Sequence, residues 1–323
     1  MNAILTFPIP VKLPTVKQLR YFIALEEHEH FGRAAESCFV SQSAFSVAIR
    51  DLESLLGVQL VDRTNRSVTV TSLGREVATQ ARLCIRDLEM VVRIARGNRE
   101  ALSGPLRLGV IPTIAPFLLP KVLPALREKY PQLQTLLRED TTQAIYERLV
   151  AGELDLILLA FPFEMRGVEV MELFKDRFRL AARADTKLVD PQNYRFNRLN
   201  AESVLLLEDG HCLREHAISA CRIRKLDKVS RFAASSLLTL VEMVDADLGI
   251  SFLPEMAEGS SILAGTRVRT YPLRDDAYRT IGLAWRKGSG RADEFRLLGE
   301  FLSEHPPGIG SSPPFRTDSR SAR

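Results

Sequence analysis

From Ser72 to Arg99 the chain runs about 28 residues without proline, and no glycine interrupts it between Gly74 and Gly97. Val77, Ala81, Cys84, Ile85, Leu88, Val91, Val92 and Ala95 recur along it at a spacing near 3.5, the signature of an apolar stripe on one helix face. A helix this long with no sheet to rest on predicts a linker that pairs with a second copy of the chain. It also divides the sequence into two parts that must build their cores separately.

The part before the linker reads as a small helical head. Val16–Glu27 carries Leu19, Phe22, Ile23 and Leu25 at helical spacing, and a shorter alanine-rich helix opens at His30. Ser41 is placed to cap a third helix, Gln42–Leu56, which stops at Gly57 as a helix C-terminus should. Two short helices about a tight turn predict a helix-turn-helix. Leu60–Thr71 then alternates as a hairpin with Thr64, Asn65 and Arg66 at its tip, a wing. Charge alone makes no case for nucleic acid. The whole chain is only +4, and Pro14–Ser103 holds 12 Lys+Arg against 11 Asp+Glu. The case rests on geometry and on a local patch, since residues 63–75 carry Arg63, Arg66 and Arg75 and no acid. The helix that Ser41, Gln42, Ser43 and Ser46 open is the expected reader of base edges, and Gln42 can bond an adenine. Arg50, Arg63 and Arg66 are expected on phosphates.

Beyond Pro105 the pattern changes to alternating strands and helices. Strands are expected at Leu106–Ile111, Gln134–Glu139, Leu154–Ala160, Ser203–Leu207, Ile250–Leu253, Val268–Leu273 and Thr280–Trp285. Helices are expected at Ala115–Lys129, Thr141–Ala151, around 212–222, at Leu237–Ala246 and at Ala292–Glu304. Val168–Ala182 is extended and long enough to cross between two lobes. Such alternation predicts an α/β domain with mainly parallel sheets and a ligand cleft between the lobes. The expected division is an extension at 1–13, a winged helix-turn-helix at 14–72, a dimerisation helix at 73–103 and an effector domain at 104–304. Within the last, lobe I is 104–178 with 279–304, and lobe II is 179–278. Residues 305–323, rich in Pro, Gly and Ser, are expected to be disordered.

The chemistry-bearing segment is Glu208-Asp209-Gly210-His211-Cys212-Leu213-Arg214, with a second cysteine at Cys221. Histidine and arginine on either side of a thiol predict a lowered pKa and a nucleophile. A partner cysteine can trap the oxidised first one as a disulfide. If the segment is helical, nine residues rise about 13 Å, whereas a disulfide needs Cα atoms within about 7 Å. Oxidation would then require the helix to come apart. Buried, inert core thiols are the bland alternative for Cys212 and Cys221, and Cys38 beside Phe39 and Cys84 on the linker stripe read as packing thiols in their own right. A zinc site from His211, Cys212, His216 and Cys221 lacks C-x2-C spacing, and adjacent ligands diverge, so no metal or other cofactor is expected. Four cysteines in a chain of 323 residues make no disulfide framework and fit a reducing cytoplasm. No apolar run approaches the roughly 18 residues of a membrane span, and Met1–Pro14 has no secretory pattern.

In this order the parts resemble a LysR-type transcriptional regulator over about residues 15–304. Ala34-Ala35, Val40-Ser41-Gln42-Ser43, Ile49-Arg50-Asp51-Leu52-Glu53, Leu55-Leu56-Gly57-Val58, Asp62-Arg63-Thr64 and Thr71-Ser72-Leu73-Gly74 carry the likeness in the head. Ser43 stands where the family usually has proline. The sensor segment is similar to the family's OxyR branch, the hydrogen-peroxide regulators. There it rests on Ser103–Leu106, Ile111-Pro112-Thr113, Leu118-Leu119-Pro120, Leu206–Arg214, Cys221 and Arg279–Leu283. Glu215 and Ala233 depart from that pattern, which has an aspartate and a basic residue. The resemblance implies that Cys212 is the peroxidatic and Cys221 the resolving cysteine, with His211, Thr113, Thr142 and Arg279 positioning the peroxide. Thr113 also reads on its own as a cap for the helix that follows it.

The function expected is a regulator that binds double-stranded promoter DNA and is switched by a reversible Cys212–Cys221 disulfide. It would act as a homodimer or homotetramer, with RNA polymerase as a further partner and without membrane or enzymatic turnover. The alternatives are a LysR-type regulator answering to a metabolite in the cleft, with silent cysteines, and a thiol peroxidase with an accessory DNA-binding domain.

Overall fold

The computed structural model describes residues 12–305 apart from 64–67, 96–101, 192, 195–198, 222, 224–225 and 274–275. The wing tip with Arg66, most of the N-terminal extension, residues 96–101 of the expected linker and the tail after His305 lie outside the described residues. Two compact units separate near Arg99.

In the first unit, α1 (Val16–His28) begins with a capping box. Thr15 accepts from the Gln18 N–H, and the Gln18 side chain reaches back to the Thr15 N–H. The His30 ring caps α2 (Phe31–Ser37) by accepting from the Gly32 and Arg33 N–H groups at 3.1 and 3.2 Å. Ser41 caps α3 (Gln42–Leu56), which ends at Gly57 with φ at 69°, a left-handed conformation that costs glycine nothing. Phe22, Leu25, Phe45, Ile49, Leu52 and Leu60 are wholly buried between the three helices and the wing. The wing is β1 (Val61–Arg63) paired antiparallel with β2 (Val68–Val70). The Glu53 carboxylate fastens it to α3 by accepting the Leu60 and Val61 N–H groups at 2.9 and 3.1 Å. A single helix, α4 (Ser72–Ala95), follows. Buried Arg82 ties it to α1 through Glu26, while Leu88, Val91 and Val92 stand exposed on it.

The second unit is two lobes built on one shared strand. Lobe I holds β3 (Gly104–Val110), α5 (Ala115–Lys129), β4 (Leu133–Glu139), α6 (Thr142–Val150) and β5 (Leu156–Phe161). From it β6 (Val168–Arg183), sixteen residues long, crosses into lobe II. There follow β7 (Val204–Leu207), α7 (Cys212–Ala220), β8 (Val229–Ala234), α8 (Leu237–Asp245), β9 (Ser251–Pro254) and β10 (Val268–Pro272). The chain returns through β11 (Tyr278–Arg286) and closes with α9 (Ala292–Glu304).

The sheets are mixed rather than mainly parallel. β3 runs parallel to β4 and β5, and β7 to β8, but β11 is antiparallel to both β5 and β6, and β6 is antiparallel to β9 and β10. The cause is connectivity: β6 leaves lobe I and β11 comes back, so the two crossing strands run in opposite senses. Alternation of strands and helices carries no information about that return. The first half of β6 pairs with β11 and the second half with β9 and β10, so one backbone serves both lobes. The lobes' core is mainly apolar, from Leu106, Leu156 and Leu158 in lobe I to Val204, Val241 and Phe252 in lobe II.

Candidate functional site

Arg279 is the organising charge. It sits on β11, has 1% of its surface exposed, and spends its guanidinium on three elements at once. Its Nε donates to Asp176 of β6 at 2.9 Å. One terminal nitrogen donates to the Thr113 hydroxyl at 2.8 Å, and the other to the Thr113 carbonyl at 2.8 Å, with the Met256 sulfur 3.7 Å away. Asp176 also accepts the Met256 N–H at 3.1 Å. Burial pushes the Asp176 carboxyl above its ordinary value, with the Arg279 charge pulling the other way. A buried charge needs a partner and its lone pairs filled, and this pair has both.

Cys212 is the first residue of α7 and lies within the field of Arg279. Its sulfur faces the Thr142 hydroxyl and the backbone of Ala160 on β5. Burial pushes the thiol above its ordinary value. Arg279, Thr142, the Ala160 backbone and the thiol's own N–H pull it back toward the thiolate, as does the positive end of α7. The Thr142 hydroxyl is buried beside the sulfur. The flanking arginine does not supply the expected charge: Arg214 turns away, donating to the Leu207 carbonyl at 3.2 Å and pairing with Asp209 at 2.9 Å. The cation near the thiol comes from 67 positions downstream in the sequence (Arg279 minus Cys212).

The other expected site residues divide clearly. Thr113 does not cap α5, whose N-cap is Ile114 without a side-chain bond. Its hydroxyl instead accepts from Arg279, which leaves its own O–H as a donor. His211 is the N-cap of α7; its ring is buried and makes no bond to Cys212, Thr142 or Arg279 among the described residues. Cys221 is the C-cap of α7, so the two thiols lie at opposite ends of a nine-residue helix, both reduced. That separation also keeps His211, Cys212, His216 and Cys221 from converging on one ion. Glu215 and Ala233, the two departures from the family pattern, are both exposed. Asp176 and Met256 went unassigned by sequence, and His216 was weighed only as a zinc ligand. His216 donates from Nε2 to the Pro162 carbonyl at 2.8 Å, and its Nδ1 is buried without a partner. Burial pushes its pKa down, and the Arg279 charge adds to this.

In the head, Ser41, Gln42, Ser43 and Arg50 are exposed at one end and along one side of α3, and Ser46 is half-buried between them. The Ser41 hydroxyl is engaged in capping and lies 3.1 Å from that of Ser43. Val47, exposed on the same helix, was not singled out by sequence. Arg63 falls on β1, and Arg66 lies outside the described residues.

Residues 16–75 match the bacterial regulatory helix-turn-helix model of the lysR family, and residues 99–307 match the LysR substrate binding domain. The chain belongs to the LysR family. Among LysR proteins it is 38% identical to the HTH-type transcriptional regulator EstR of Acinetobacter baylyi, over 90% of this chain and 96% of that one. It is 37% identical to the DNA-binding transcriptional dual regulator OxyR of Escherichia coli K12, over 89% of this chain and 94% of that one. In three dimensions it superposes on a full-length OxyR cysteine-to-aspartate variant of Pseudomonas aeruginosa with a TM-score of 0.77 at 31% identity. That match covers 94% of this chain and all of the other. The LysR architecture of a winged helix-turn-helix followed by a two-lobed domain is the one described above.

Proposed function

We propose that this LysR-family regulator senses hydrogen peroxide through Cys212 and answers by forming a Cys212–Cys221 disulfide. One observation carries the reading: a desolvated thiol begins a short helix, within the field of a buried arginine and beside a buried threonine hydroxyl, and a second thiol ends that helix. The Cys212 thiolate attacks one peroxide oxygen; an S–O bond forms, the O–O bond breaks, and hydroxide leaves with a proton as water. Donors at Thr113, Thr142 and His211 would stabilise the departing charge, with Arg279 behind them. The Cys212 sulfenic acid then condenses with the Cys221 thiol, releasing a second water.

In the same reading, residues 14–72 bind double-stranded promoter DNA. Ser41, Gln42, Ser43 and Ser46 approach base edges, and Arg50, Arg63 and Arg66 the phosphates. The apolar face of α4, within the 73–103 linker, makes a homodimer, which pairs further into a tetramer. Lobe I (104–178 and 279–304) and lobe II (179–278) form the sensor. Refolding between the cysteines alters the spacing of the heads on DNA and activates oxidative-stress genes through RNA polymerase in the cytoplasm. Each protein is oxidised once and re-reduced, and does not turn over as an enzyme.

The test is intact mass and thiol counting on purified protein, before and after one equivalent of hydrogen peroxide. Rapid loss of two thiols, mapped to Cys212 and Cys221 and reversed by a dithiol, is expected. Two thiols that stay titratable would sink the reading. EstR, whose name states no signal, is as similar as the peroxide regulators, so a metabolite-binding regulator is the second reading. It predicts that Cys212→Ser leaves the cellular response intact.

A further inference from the structure

We propose that His216 is a positioning residue of this thiol pair: it latches α7 onto the end of β5 and so sets how strongly the reduced form is held. The inference rests on the disulfide reading and deepens it.

Cys212 and His216 stand four apart on α7, on one face and about 6 Å apart along the axis. Ala160 lies near the end of β5 and Pro162 just beyond it. The two residues of α7 both meet this strand end. The Cys212 sulfur lies against the Ala160 backbone, and His216 Nε2 lies 2.8 Å from the Pro162 carbonyl. A carbonyl can only accept, so Nε2 carries the proton and Nδ1 is a bare lone pair. That lone pair is buried without a partner, in a ring that is only 5% exposed. The histidine therefore contributes one donated bond from the sensor helix of lobe II to the strand end of lobe I.

His216 lies midway between the two cysteines, so bringing them together must unwind the turn that carries it. The bond to Pro162 exists only while α7 is helical. An interaction present in one of two states shifts the balance between them by its full differential value. With hydrogen peroxide as oxidant, the Cys212 sulfenic acid and the Cys221 thiol yield the disulfide and water. Losing the latch removes one obstacle to that second step.

The experiment equilibrates the full-length protein in dithiol–disulfide buffers and follows the Cys212–Cys221 bond by mass. His216→Gln keeps an N–H donor without an ionisable ring, whereas His216→Ala and His216→Leu remove the donor, the latter while filling space. The donor-less variants are expected to shift the equilibrium about tenfold toward disulfide, about 30 mV for a two-electron couple, and to form the bond faster after a peroxide pulse. His216→Gln should stay within about twofold of the parent, a rescue that loss of packing alone would not give. An equilibrium unmoved in both donor-less variants overturns the latch, as does His216→Gln behaving like them. A parent protein that never forms the bond refutes the disulfide reading itself, a separate result.

Discussion

Burial and Arg279 pull the Cys212 thiol in opposite directions, and burial wins. The reaction with peroxide should therefore accelerate as pH rises through and beyond neutrality, because the thiolate fraction is still growing there. Stopped-flow rates between pH 6 and 9 would check it; a flat profile would mean the thiolate is already formed. Arg279→Met removes the charge that favours the thiolate, and the rate at neutral pH should drop about tenfold for each pKa unit gained. The same change strands Asp176 in the core, so thermal unfolding should report a loss of about 3–5 kcal/mol. His216 adds a second pH effect, on stability. Its pKa is lowered in the fold, so its contribution to stability is present above the unfolded value of about 6.5 and is lost as pH falls through the folded value. Melting temperature should thus fall in mild acid, and His216→Gln should flatten that fall.

Helix α7 is held by its surroundings more than by itself. It has nine residues, no side-chain bond at its N-cap, and a length at which an isolated helix is marginal in water. Leu213, His216 and Ala217 are the side chains it buries. Leu213→Ala should cost the reduced form about 2–5 kcal/mol and favour disulfide, read from the same redox equilibrium. Hydrogen exchange across residues 213–220 should rise on oxidation; unchanged protection would show that the helix survives the bond. Elements of this kind were legible in the sequence where local chemistry marks them. Ser41 and Gly57 bracket α3, and the bounds of α5 and α9 follow from apolar periodicity alone. β8 was missed because only its first and last residues are buried, so Val229–Ala234 carries no alternation to read. The partner of Arg279 was missed for a different reason. Asp176 lies 103 residues away within a charged stretch of β6, and only the return of β11 alongside β6 brings the two together.

At the scale of the whole molecule, recognition and sensing are separable by mutation. Gln42→Ala should cost about 1–3 kcal/mol of discrimination at one base pair, whereas Arg50→Ala should weaken all sequences alike and lower the salt slope by about one. Binding titrations at several salt concentrations distinguish the two; equal losses on every sequence for Gln42→Ala would remove it from base readout. The sensor's own construction limits what it can send. Because β6 belongs to the sheets of both lobes, they cannot slide past each other without tearing one set of its pairings. What such a strand transmits at little cost is torque. It behaves as an axle shared by two plates, and a rearrangement at α7 would reach lobe I as a turn about that axle, with the two plates keeping their distance.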